Sequence, residues 1–106
     1  MYLSLASDVI AQCVLMGHEL DRAEPEFRAF IDRLPIDEKA ELVALMWVGR
    51  GAFEAQEWQT ALETALSEAT TPCADYLIGT PHFADHIEAG ADALGVELAE
   101  DENFPI

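Results

Sequence analysis

After Arg50 the chain contains no lysine and no arginine. Residues 51–106 carry twelve acidic side chains and no Lys or Arg. Residues 1–50 hold Arg22, Arg28, Arg33, Lys39 and Arg50 against nine acids, and the whole 106-residue chain stands at −16. Proteins bind nucleic acid by neutralising phosphates with Lys and Arg, so direct binding to DNA, RNA or anionic lipid is excluded as a working class. Long apolar runs are also missing. The longest, Leu42–Val48, falls far short of the roughly 18 consecutive apolar residues of a membrane-spanning helix. No basic stretch precedes an apolar one near Met1, so no secretory leader is read and the expected compartment is the cytoplasm. The two cysteines, Cys13 and Cys73, form no CxxC pair and no disulfide framework, and read as reduced core residues. Glycine is too sparse for a phosphate-cradling loop, and Gly49-Arg50-Gly51 alone is not one.

Strand-like alternation is absent as well, and what the sequence does contain is helical spacing. Ser7 or Asp8 suits an N-cap, followed by Val9, Ile10, Cys13, Val14, Gly17 and Leu20 on one face of a helix reaching about Arg22. Pro25 fits the first turn of a second helix carrying Phe27, Phe30, Ile31 and Leu34 inward. Asp37, Glu38 and Glu41 place negative charge at the start of a third, where the macrodipole favours it. Its run Leu42–Val48 is apolar on every face and is expected at the centre of the core. A fourth helix from Glu54 aligns Trp58, Ala61, Leu62, Ala65, Leu66 and Ala69. Two short helices then meet at a sharp corner, with Gly79 left-handed, Thr80 capping and Pro81 in the first position. The second carries Phe83, Ile87, Ala91 and Leu94 inward. These readings give an all-α, compact bundle of five or six short helices, a single helical domain over 1–95, and an acidic C-terminal tail over 96–106 with Phe104 tucked down.

Candidate chemistry is thin. His82 and His86 stand one helical turn apart beside Asp85 and Glu88, but Phe83 occupies the place that HExxH gives to glutamate, and only His18 remains as a distant third donor. No metal and no cofactor are assigned. Ser4, Ser7 and Ser67 lack a nucleophile-elbow setting, and neither cysteine has a histidine close in sequence, so no catalytic residue is assigned either. Arg50 fits the negative end of the third helix, and its guanidinium is expected to reach Asp85 or Asp75 and lock the two halves of the bundle.

Glu41–Leu45, Trp47, Gly49-Arg50-Gly51, Phe53 and Glu57-Trp58 form one motif. Tyr76-Leu77, Gly79-Thr80-Pro81, Ala84-Asp85, Glu88 and Gly90 form another. With both in register, the chain resembles a small family of uncharacterised, mainly alphaproteobacterial proteins grouped as a domain of unknown function, with the pattern ELVALxWxGRG followed by YLxGTPxxADxxExG. The resemblance spans about Asp8 to Gly95. It implies no activity, but it implies that Trp47, Arg50, Trp58 and the Gly79-Thr80-Pro81 corner belong to one shared framework. The chain departs from the pattern at Thr71-Pro72-Cys73 and at His82 and His86.

The reading is a non-enzymatic protein–protein interaction module, with Trp47, Arg50, Trp58, Tyr76, Thr80 and Asp85 as structural or interaction candidates. The partner is a protein, of basic character if the acidic surface attracts it, and a homodimer through an apolar helix face is a further expectation. An acidic mimic of nucleic acid would need Glu57, Glu63, Glu68, Asp85, Glu88 and Asp92 in one exposed stripe. A small-ligand-binding protein or enzyme would need a pocket near Arg50 and Asp85, lined also by Trp58, Tyr76 and Thr80.

Overall fold

Helical spacing becomes six α-helices in the computed structural model, which describes residues 3–68 and 71–98. They are α1 (Ser7–His18), α2 (Leu20–Asp32), α3 (Ile36–Arg50), α4 (Trp58–Ser67), α5 (Cys73–Ile78) and α6 (Phe83–Ala93), with one turn of 3-10 helix, Ala55–Glu57, leading into α4. Among the described residues there is no strand, and no helix is long and apolar enough to cross a membrane. Helix α3 is the axis: α4, α5 and α6 all pack on it, while α1 packs on α2 and α6. The side chains of Ile10, Cys13, Phe27, Ile31, Leu42, Leu45, Met46, Leu77 and Ile87 are fully buried between them. Each large one contributes about 1.5–3 kcal/mol by leaving water. Phe27 and Phe83 join α2 to α6 with ring centroids 5.4 Å apart.

Several local features differ from the sequence expectation. Helix α1 ends at His18 instead of running to Arg22, because Glu19 leaves the helical region (φ −117°, ψ 32°) and its carbonyl accepts the N–H groups of Arg22 and Ala23 to start α2. Pro25 therefore lies inside α2, past its first turn, where it is exposed and water can serve the carbonyl that its missing N–H leaves unpaired. The N-cap of α1 is Ala6, with neither Ser7 nor Asp8 capping. At the corner between α5 and α6, Gly79 is right-handed (φ −74°) and the residue with positive φ is His82 (61°), a residue type enriched in that region. Thr80 Oγ1 donates back to the Tyr76 carbonyl at 2.9 Å, finishing α5 instead of capping α6. In α4, Trp58, Ala61 and Ala65 are buried as expected, but Leu66 is exposed, and Ala69 lies outside the described residues. Of the tail, Val96 and Leu98 pack against the core, while Phe104 lies outside the described residues.

The two glycines flanking Arg50 do different work. Gly51 takes the left-handed conformation (φ 90°) that ends α3, and the N–H of Ala52 returns to the Trp47 carbonyl at 2.9 Å. Gly49 is inside the helix, where a Cβ would collide with the His86 carbonyl; a Cβ on Gly90 of α6 would likewise collide with the Leu45 carbonyl. Helices α3 and α6 thus cross backbone to backbone at a pair of glycines. A Cβ on Gly17 would lie 2.9 Å from both the Ala84 Cβ and the Phe83 ring, so α1 also packs closely on α6, here against side chains.

Glu41 was expected to place negative charge at the start of α3 to match its dipole, and it is 3% exposed. It lies one turn before Leu45 on the buried face, and its carboxylate accepts the backbone N–H groups of Ser4 at 2.8 Å and Leu5 at 2.9 Å. A buried carboxylate is tolerable when hydrogen-bonded, and this one fixes the segment before α1 against the middle of the chain.

Candidate functional site

The run Leu42–Val48 of α3 is apolar on every face because it serves two surfaces. Leu42, Leu45 and Met46 enter the core, whereas Val43 and Trp47 are only half-buried. With Ile36, Lys39 and Ala40 they follow the i, i+3, i+4, i+7, i+11 spacing of a second helix face. That face is the floor of a groove of about 460 Å³, walled by Ala65, Leu66 and Glu68 at the end of α4 and by Thr71, Pro72, Cys73 and Tyr76 at the start of α5. Two of its side chains stand out into solvent, Ile36 at 69% and Leu66 at 44% exposure.

The deep end of the groove is built around Trp47. Its indole Nε1–H donates to the Tyr76 hydroxyl at 2.9 Å, tying α3 to α5, and its ring lies 5.8 Å from that of Phe53, tilted by 31°. Polar satisfaction of the indole lets a large apolar ring line an open surface in one fixed orientation. Cys73 points its thiol at the Lys39 carbonyl, 3.8 Å away. Burial pushes that thiol up to about 11, outweighing the nearby Lys39 ammonium, so it stays protonated. Cys13, in the core, is pushed up to about 12 by burial, with Cys73 adding to it.

Of the six candidate residues, the groove brings together Trp47 and Tyr76. Trp58 is buried under α4, bordering a separate depression with Ser4, Glu41 and Gln59. Thr80 closes α5, and Asp85 is exposed on α6, where it faces His18 and His82. Ile36, Val43 and Leu66 were read as core or passed over. The signal that could have found them is the run of apolar residues continuing onto a second face of α3.

The expected Arg50 lock is not formed. Arg50 is exposed at the end of α3, and among the described residues it pairs with no carboxylate. Asp75 is instead bound by Arg28 of α2, which also holds Glu24 one turn away through Nε at 2.9 Å. Helix α5 packs on α2, and that contact brings Asp75 to Arg28. Among the described residues His82 and His86 belong to no group of three metal-capable side chains; the nearest acid to His82 Nδ1 is Asp85, at 3.9 Å, and the backbone of His86 lies against Gly49. The acids needed for a nucleic-acid mimic are exposed but divided. Asp85, Glu88 and Asp92 share one face of α6 by their i, i+3, i+7 spacing, whereas Glu57, Glu63 and Glu68 lie on or beside α4, which has no extensive contact with α6.

Residues 24–96, most of the chain and all the walls of the groove, match the family described as Protein of unknown function (DUF3775). The chain belongs to this family. No curated protein and no solved structure matches it.

Proposed function

We propose that this family member is a non-enzymatic interaction protein of the bacterial cytoplasm, whose groove between α3, α4 and α5 takes an apolar face of a basic, amphipathic segment of another protein. The observation that carries this reading is the exposure of Ile36 on the floor and Leu66 on the wall of a groove that also holds the hydrogen-bonded Trp47–Tyr76 pair. Large side chains left in water around a fixed aromatic pair are how an anchor pocket for a partner's apolar residues is built. Charge supplies the basic character of the partner. A chain at −16 repels a second copy of itself and attracts a cationic segment at long range. The alphaproteobacterial pattern of the two motifs is the ground for the bacterial setting.

The Cys73 thiol supports binding over catalysis, because a thiol held protonated by burial is the reverse of an activated nucleophile. The divided acids speak for the groove as the recognition element, with the surrounding charge steering the encounter.

The test is affinity capture from native bacterial lysate at low and high salt, with the wild-type chain and the Ile36→Glu and Leu66→Glu variants side by side. Both sites are solvent-exposed, so the variants keep the fold. The expected result is a reproducible partner with a basic segment, retained by the wild type, weakened by salt and lost with either variant. A partner held equally by the variants, or only a second copy of the chain, would refute the assignment.

A further inference from the structure

We propose that His18, Asp85 and Glu88 form a binding site for a divalent transition cation of the zinc type, on the face formed by α1 and α6. The site is separate from the groove and its test is independent of the interaction reading. His18 closes α1, and Asp85 and Glu88 lie three residues apart on one face of α6. The imidazole Nε2 is 3.6 Å from Asp85 Oδ1 and 4.0 Å from Glu88 Oε1, and one ligand atom from each of the three lies within 4.8 Å of the others. These separations are too long for direct hydrogen bonds. They are close to the roughly 3.4 Å that separates two N or O ligands on one tetrahedral zinc. A small rotation of three half-exposed side chains closes the difference.

Charge and rigidity support the same assignment. Among the described residues no lysine or arginine pairs with Asp85 or Glu88; the basic groups closest to them are imidazoles. One imidazolium neutralises one carboxylate, whereas a dication neutralises both and accepts the imidazole as a neutral ligand. Gly17 precedes His18, and Ala84 precedes Asp85. A Cβ on Gly17 would lie 2.9 Å from the Ala84 Cβ, so the Gly17 backbone packs against the Ala84 side chain immediately beside the donors. The donors are therefore positioned by the crossing of two packed helices, and binding need not order a loop. One histidine and two carboxylates leave a coordination position for water. His82, whose Nδ1 is 3.9 Å from the other oxygen of Asp85, stands behind the ligand set and not in it.

The experiment is calorimetric titration of Zn2+ into the chelator-treated, purified chain, with Mg2+ as the comparison ion and 1H–15N spectra of the histidine rings as a structural readout. The expected result is one Zn2+ per chain below millimolar concentration, a preference for Zn2+ over Mg2+ of at least about tenfold, and a shift of the His18 ring. His18→Ala and Asp85→Asn should each weaken binding about tenfold or more, and His82→Asn, which tolerates the left-handed backbone, should leave it nearly unchanged. No saturable binding, equal binding of Mg2+, or full retention by His18→Ala would overturn the site. Circular dichroism of each variant separates lost binding from lost fold.

Discussion

Gly49 and Gly90 face each other across the α3–α6 crossing, each seated against a carbonyl of the opposite helix. Gly51, only two residues on, has open space around the position of a Cβ but holds a positive φ. Substitution should separate these roles. Gly49→Ala gains about 1 kcal/mol of helix propensity yet forces the two backbones apart, with a net loss of about 2 kcal/mol or more. Gly51→Ala should cost about 1 kcal/mol, from left-handed strain alone. Urea unfolding of the two variants checks the order, and a Gly49→Ala protein as stable as the wild type would contradict the crossing.

Glu41 makes a second separable prediction. Replacing it with alanine leaves the Leu5 N–H without its acceptor in a buried place and the Ser4 N–H without one in a partly buried place, which should cost about 2 kcal/mol. Glu41→Gln keeps an acceptor oxygen and should lose less. Chemical denaturation gives the magnitudes. Amide exchange should show the loss concentrated at residues 4 and 5 in the glutamine variant.

The thiols predict an alkaline limit to stability. Cys13 and Cys73 have an ordinary value of 9.0, and in the fold they are pushed up to about 12 and about 11 by burial. Between those values the unfolded chain has lost thiol protons that the folded chain keeps, so stability falls as pH rises. The contribution is fully present below pH 9 and is lost progressively up to about 11 to 12. Thermal melts from pH 8 to 10.5 should show decreasing Tm, and Cys13→Ala with Cys73→Ala should flatten the slope. At pH 8, iodoacetamide should modify the folded chain far more slowly than the chain in urea.

Much of the architecture was legible because helix faces are local. Phe27 with Ile31, and Phe83 with Ile87 and Ala91, are buried as their spacing demands. The Gly49-Arg50-Gly51 stop and the break between α5 and α6 fall where glycine and proline mark them. What failed depended on which distant elements meet. The Arg28–Asp75 pair joins residues 47 apart in sequence, and nothing local prefers Arg28 to Arg50. Glu41 looked like a dipole-matching acid, and only its register with Leu45 hinted that it faces inward. The groove was half legible: Trp47 and Tyr76 stood out, but Ile36 and Leu66 could be recognised as exposed only once α4 and α5 had been placed.

The family match starts at residue 24, inside α2, yet Ile10, Cys13 and Val14 of α1 are part of the buried core. Gly17 covers Phe83 and Ala84, and Glu41 anchors the backbone of Ser4 and Leu5. The first turns of the chain are therefore structural masonry laid against the recognised segment. A protein trimmed to the matched residues would present the α1-facing side of α6 to water and leave Glu41 with no backbone to hold. The boundary that sequence comparison draws is narrower than the boundary that packing requires.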